Sequence, residues 1–413
     1  MANTLTTLDA ALKQLYRAKN LGDATYKRRP MFAAMPKFEG FGGRNMPVPV
    51  KYGQGVGGSG SVFATAQANV SAVLYEDFLL TGINLYHVTQ FTGESLDYST
   101  NDAMAFVRGL KTKVDSAFGA LSDAIESYLP RTGSGSLGTI GSMSTTTLTL
   151  ADTDDVQVFE VGMELVHGTP TDGDTIGSSA AENTVTAVDR TAGTLTSDAA
   201  WTTTWSDPAI ATDHIYVGGT AQNGTSNALP TIAGFGAWIS SAGDSSFFGV
   251  DTTVDDRLSG NWHDGSAQLV EEALIDGASV AAAEGGAPDV CFIHPTSHRK
   301  LVKEVGSRTT YDKLMAKGPK GEMANIAFRG LVLDGPLGPV KVISANKCQS
   351  TRGWMLDSET WSLNSNGSAP KIISNDGLRI RAGASADNFE CRLVFRGNLS
   401  CNAPGHNTGI VLA

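Results

Sequence analysis

The chain is short of positive charge, of cysteine and of long apolar runs, and each shortage removes a class of function. Lys and Arg number 31 against 42 Asp and Glu, a formal net charge of −11. A nucleic-acid face built on overall positive charge is therefore disfavoured. No stretch of about 18 apolar residues occurs, so nothing in the sequence reads as a membrane-spanning helix. The opening MANTLTTLDAALKQLYRAKN lacks a basic-then-apolar targeting pattern. Four cysteines, Cys291, Cys348, Cys391 and Cys401, include no C-x-x-C pair. They read as free buried thiols of a protein made in a reducing cytoplasm. No internal repeat is visible.

Catalytic signatures are missing as well. There is no G-x-S-x-G and no H-E-x-x-H. Two G-x-G-x-x-G matches occur, at Gly53, Gly55 and Gly58 and at Gly133, Gly135 and Gly138. A dinucleotide site needs a strand, a glycine turn and then a capped helix. The first match is followed by SVFATA, which reads as strand or loop, and the second follows a helix and Pro130, so both read as flexible turns. His294 and His298 stand four apart, but Pro295 places His294 at or before a helix cap, away from a shared metal-binding face. His263-Asp264 has no nucleophile to serve. Asp154-Asp155 and the Asp172–Asp174 turn lack the alternating carboxylates and distal Glu of a calcium loop. The expectation is no catalytic residue, no cofactor and no metal.

What is present is a two- or three-core globular chain of 413 residues, 41% apolar and 18% charged, with 47 glycines. Residues 4–20 place Leu5, Leu8, Leu12 and Leu15 on one helical stripe, too short to stand alone in water. Residues 21–44 read as an extended arm. NMPVPVKY is strand-like, with Pro47 and Pro49 confining it to a sheet edge. A glycine tip follows at 53–60, and the chain returns through FATAQANVSAVLYEDFLLTGINLYHVTQF. Such a hairpin cannot pack a core by itself and needs another surface.

Residues 100–129 carry the strongest helical period, from Ala103 through Val107, Leu110, Val114, Phe118, Leu121 and Ile125 to Tyr128, stopped by Pro130. At 1.5 Å per residue this helix would span about 45 Å. Residues 131–225 turn rich in Thr, Ser, Gly and Asp, and TTTLTLAD, VQVFEVGMELVHG and NTVTAVDRTAGTLTSD read as strands, the last with a hairpin at 189–193. From 226 onward the pattern is mixed: a helix in SAQLVEEALIDGASVAAAEGG, a buried strand in DVCFIH, a helix opened by Pro295, and a strand in PVKVIS. The tail alternates through Phe389, Cys391, Leu393 and Phe395 and reads as closing a sheet. The fold class is α+β.

This order resembles the major capsid proteins of tailed phages, the Hong Kong ninety-seven fold. FATAQANVSAVLYEDFLLTGINLYHVTQF, the helix after it and RTGSGSLGTI look like the hairpin return, spine helix and post-helix turn of one branch of that family. LADTDDVQVFEVGMELV and TVTAVDRTAGTLT look like that branch's insertion, and FGVDTTVDDRL with its Ala-rich helix looks like the apical domain. The resemblance implies an N-terminal arm at 1–44, an extended hairpin at 45–92, a spine helix at 93–130, an inserted β-rich domain at 131–225, an α/β apical domain at 226–370 and closing strands at 371–413.

It also implies an icosahedral shell of hexamers and pentamers around double-stranded DNA, located in the virion and made in the bacterial host cytoplasm. An acidic wall suits that content, because few counterions are displaced when a polyanion touches it. Implied partners are further copies of the chain, a portal protein, a decoration protein, and packaged DNA through non-specific contact. A separate scaffolding protein is expected because the chain starts almost directly at the arm. The hairpin residues Lys51, Tyr52, Gln54, Val56 and Ser59 and the arm residues Lys27, Arg28 and Arg29 are the candidate inter-subunit contacts. The arm's basic residues could equally touch nucleic acid or form a solvated turn. Lysine–asparagine cross-linking is disfavoured, since the tip at 53–60 carries no Lys. The insertion is expected on the outer surface. The rival readings are an encapsulin-type compartment, a β-rich carbohydrate-binding protein using Trp201, Trp205, Trp238 and Trp262, and a nucleotide-dependent oxidoreductase resting on the glycine patterns. The basic stretch from Arg299 to Lys320 reads as a solvated or inter-subunit face.

Overall fold

The computed structural model describes residues 28–55, 57–58, 61–92, 109–168, 182–205, 208–219, 229–308, 331–374, 377–382 and 387–413. The amphipathic segment 4–20 and the first part of the 100–129 helix lie outside them.

The arm is not extended throughout. Pro30–Ala34 forms a short helix, α1, with Pro30 in its first turn. Proline presets the helical φ there and removes one orphan N–H. Two more orphans, the Met31 and Phe32 amides, donate to the Glu126 carboxylate at 3.1 and 2.7 Å. A long-range acceptor thus nucleates a turn that the local sequence does not announce. A two-residue strand, β1 (Lys37–Phe38), follows.

The hairpin consists of β2 (Asn45–Gly53) and β3 (Leu74–Thr81), paired antiparallel with each other alone. Pro47 and Pro49 sit on this edge, where missing N–H donors cost no ladder bond. Between the strands, Phe63–Ala68 is helical, α2, where strand or loop was expected. It has no side-chain cap, and the antiparallel frame around it is still not the βαβ unit of a dinucleotide site.

β4 (Ile83–Thr92) runs beside β19 (Asn388–Cys401) over ten paired residues. Helix α3 (Gly109–Tyr128) packs across both strands. Ala117, Leu121, Ile125 and Tyr128, spaced by four, four and three, form its buried stripe. The described 20 residues correspond to about 30 Å.

Within 131–225, six strands close a barrel: β5 (Gly138–Met143), β6 (Thr147–Leu150), β7 (Glu164–Gly168), β8 (Asn183–Asp189), β9 (Thr194–Ser197) and β10 (His214–Val217), in the order β10-β5-β6-β9-β8-β7. The β8–β9 hairpin turns where Asp189 accepts the Thr191 and Ala192 amides and Gly193 takes φ +67°. VQVFEVGMELVHG is only partly strand. Thr153–Val158 is a 3-10 helix, because the Asp152 side chain accepts the Asp154 amide and starts a turn instead. Trp201–Thr204 forms α4 and plugs the barrel with Trp201 and Trp205.

A second sheet has the order β11-β20-β15-β12-β14-β13. Its strands are β11 (Asn261–Gly265), β12 (Val290–Ile293), β13 (Leu331–Gly335), β14 (Gly338–Ser344), β15 (Arg352–Leu356) and β20 (Thr408–Leu412). Before it come two four-residue helices, α5 (Phe235–Trp238) and α6 (Asp256–Ser259). Helix α7 (Val270–Ala283) covers the sheet and ends before Gly285 at φ +87°. Helix α8 (Pro295–Arg308) starts at its proline, and His294 Nδ1 accepts the Thr296 amide at 3.2 Å as its cap. This cap removes His294 from the face of His298.

The spine sheet gathers β1, β16 (Trp361–Ser365), β19 and β17 (Lys371–Ile372), with β18 (Arg381–Ala382) and β4 also on β19. β19 buries both faces over Gly397–Cys401, beyond the one-sided alternation seen in sequence. The tail therefore does more than close one sheet: after Pro404–His406 turns the chain, β20 enters the second sheet between β11 and β15. Asn407, fully buried, holds this crossover. Its Oδ1 accepts from the Asp357 amide and the Trp361 indole, and its Nδ2 donates to Thr360 Oγ1 and Ala403 O. The four cysteines are free and buried.

Candidate assembly surfaces

The hairpin divides into two halves. Its root half packs on its own chain: Val48, Val50, Phe78 and Leu80 are buried, and the Phe78 ring meets Trp238 edge-on at 5.1 Å. The Leu79 amide donates to Phe248 O at 2.9 Å, and Arg257 Nη1 donates to Tyr52 O at 2.9 Å. The expectation that the hairpin needs another surface is thus met at the root by its own chain. The distal half leaves that core. Phe63 is 81% exposed, Val70 72% and Tyr75 62%, and α2 buries no residue. Lys51 and Gln54 are exposed and Tyr52 is half-buried, while Val56 and Ser59 lie outside the described residues.

The spine sheet also exposes apolar side chains. Along β4, Ile83, Leu85, His87 and Thr89 turn inward, while Asn84, Tyr86, Val88 and Gln90 turn outward. Tyr86 is 58% exposed and Val88 48%.

The arm's basic residues separate. Arg28 is exposed and Lys27 lies outside the described residues. Arg29 is engaged within the chain: its Nε pairs with Asp123 Oδ1 at 2.7 Å and its Nη2 donates to Gly119 O at 3.1 Å. Beside it, burial raises the Glu126 carboxyl to about 7, against the lowering effect of the Phe32 and Met31 amides. Arm and spine helix are therefore joined by two acids, one arginine and a helix start. The sequence showed Arg29 but not its partners, 90 and 94 positions away.

The barrel is pinned at its base. Ser350 Oγ donates to Asp152 Oδ2 at 2.6 Å, Lys347 Nζ donates to Gln157 O at 2.6 Å, and Arg131 Nη2 meets Asp155 Oδ1 at 3.5 Å. Burial raises the Asp155 carboxyl to about 6 and lowers the Lys347 ammonium. Buried polar groups of this kind need full pairing, and so hold the barrel in one orientation.

The sugar-platform reading fails on geometry. Trp201, Trp205 and Trp238 are at most 1% exposed, and Trp262 is stacked beneath Arg352 at 4.9 Å. His263 Nε2 bonds Gln268 Oε1 at 3.0 Å, and Asp172 and Asp174 lie outside the described residues.

The family described as SU10 major capsid protein matches residues 209–369, which hold most of the second sheet and α5 to α8. Among solved structures, the chain is similar to the cyanophage A-1(L) capsid asymmetric unit, at TM-score 0.58 and 11% identity, covering 98% of each chain. Residues 209–369 are thus similar to a tailed-phage major capsid protein. The fold of the chain is Hong Kong ninety-seven-like. The capsid of the Myoviridae phage XM1 gives TM-score 0.47 at 9% identity over 97% of each chain, and that of a native GTA particle 0.49 at 8% over 100% of each. No curated protein matches the chain in sequence.

Proposed function

We propose that this chain is a tailed-phage major capsid protein that forms hexamers and pentamers of an icosahedral shell around double-stranded DNA, and that the distal hairpin of each subunit lies on a neighbour's spine sheet. The observation that carries this reading is the division of the hairpin. Its root is built into the subunit's own core, while Phe63 and Val70 of the distal connection and Tyr75 of β3 stand uncovered. Exposed apolar residues grouped on one element mark an interaction surface. The outward Tyr86 and Val88 offer apolar area to receive it. Lys51 and Gln54 flank this contact, and we assign Lys27 and Arg28 to contact with a second neighbour. The role is structural and not enzymatic.

The sequence segments take the roles of arm, hairpin, spine, outward barrel and apical domain. Closing a curved shell from two kinds of capsomer requires control of curvature, which we assign to a separate scaffolding protein. A portal protein, a decoration protein on the barrel face and non-specific contact with DNA complete the partners, with synthesis in the host cytoplasm. Replacing residues 54–73 by a short Gly-Ser turn tests the reading. Negative-stain microscopy of the variant co-expressed with its genomic neighbours should show no closed shells, while its circular dichroism stays native. Shells of wild-type form from that variant would overturn the proposed contact.

A further inference from the structure

We infer that a notch at the root of the hairpin is an oxyanion site, taking a carboxylate or phosphate group. The chain enters the hairpin through Gly42, Gly43 and Arg44 and leaves it past Asn84, which pairs in register with Arg396 of β19. These residues and Asn366 line a cavity of about 200 Å³. That is room for an oxyanion and several waters, each of which takes about 30 Å³.

The charge of the notch is unbalanced. Among the described residues, no carboxylate lines it, and neither guanidinium has a hydrogen bond or ion pair. The Arg396 Nε is buried without an acceptor. A third cation stands behind: Lys371 Nζ donates to Asn366 Oδ1 at 3.0 Å. Like charges facing one cavity repel, and a buried unpaired donor is unfavourable; a bound oxyanion relieves both. Guanidinium forks match carboxylate and phosphate oxygens.

The wall is also shaped for close approach. A Cβ on Gly82 would stand 2.6 Å from the Phe41 ring, and one on Gly397 would overlap the Asn364 carbonyl. Both positions therefore stay bare backbone, which keeps the notch open. An anion bridging Arg44 to Arg396 ties the entering leg of the hairpin to the spine sheet and sets the hairpin's angle. The site stands on these residues alone; its mechanical consequence rests on the shell reading.

The test titrates full-length, unassembled subunits with inorganic phosphate at low ionic strength, by calorimetry, with amide exchange followed over residues 45–81. Saturable binding to the wild type is expected, weakened at least tenfold in Arg396→Gln and in the exposed Arg44→Gln, and unchanged in the remote Arg190→Gln. Exchange at the hairpin root should slow with phosphate. Repeating the titration on assembled particles separates the sources. Binding that persists identifies a free anion. Binding that vanishes on assembly identifies a side-chain carboxylate of a second copy. Absence of saturable binding to wild-type subunits, or equal binding by Arg396→Gln in circular dichroism-native protein, overturns the site. Unchanged exchange on binding overturns the hinge role. The subunit titrations and the exchange measurement do not depend on shells forming, so failure of the site and failure of the shell reading are distinguishable.

Discussion

The barrel and the hairpin are both β structure inserted between parts of one core, yet they solve opposite problems. The barrel closes on itself, so its strands have no free edge and its apolar residues face inward. Ile140, Leu148, Leu195 and Ile215 are fully buried. The hairpin has two strands and no closure, and its distal half turns apolar side chains to solvent. One element is finished within the subunit, and the other, on the proposed reading, is finished by a neighbouring copy. That reading puts stability and association in separate places.

Substitutions can break that separation, and the largest expected effect lies in the barrel. Trp205→Ala removes a fully buried ring that lies 4.7 Å from Trp201 and 5.0 Å from His167. It should cost about 3–5 kcal/mol of barrel stability, seen as a lowered thermal midpoint of unassembled subunits. A midpoint within experimental error of wild type would mean that the barrel core is not carried by this ring.

The arm anchor comes next. With Glu126 raised from 4.5 to about 7 in the fold, its contribution to stability is full below pH 4.5 and lost as pH rises through about 7. Asp155, raised from 3.8 to about 6, acts in the same direction at lower pH. Glu126→Gln keeps an acceptor for the Phe32 amide without the charge. Denaturant midpoints measured from pH 4.5 to 8 should therefore fall less steeply in this variant than in wild type; identical slopes would remove Glu126 from the account.

The smallest effect on the isolated subunit, and the sharpest contrast, is expected from Phe63→Ser. An 81% exposed side chain should change subunit stability by less than about 0.5 kcal/mol. Its effect belongs to assembly, read as slower shell formation by light scattering. A large loss of subunit stability would place Phe63 in the subunit core and erase the contrast.

Much of the frame was legible because it depends on short-range patterns. The spaced apolar residues Leu121, Ile125 and Tyr128, the Pro295 start of α8, the Gly285 stop of α7 and the turn at Asp189 each follow from local sterics and periodicity, whereas Ala117 joins the buried stripe where Phe118 was expected. Local patterns misled where a distant group intervened. The helix at Pro30 depends on Glu126, and Thr153–Val158 turns on the Asp152 side chain instead of running on as strand. α2 is a helix without a cap, so nothing in SVFATA announced it. The candidate contacts divided in the same way: the exposure of Lys51 and Gln54 follows from an edge beside a glycine tip, but Arg29 is held by Asp123.

By itself, the sequence determined that the chain is α+β, free of catalytic signatures, and ordered as an edge hairpin, a long helix, a β-rich stretch and a mixed α/β region, because composition and period are properties of neighbours along the chain. The tertiary structure decided which half of the hairpin is buried, that β20 crosses into the second sheet through Asn407, and that Arg44 and Arg396 share one notch. Those facts depend on pairings across hundreds of residues, where the energy lies in contacts that no local pattern encodes.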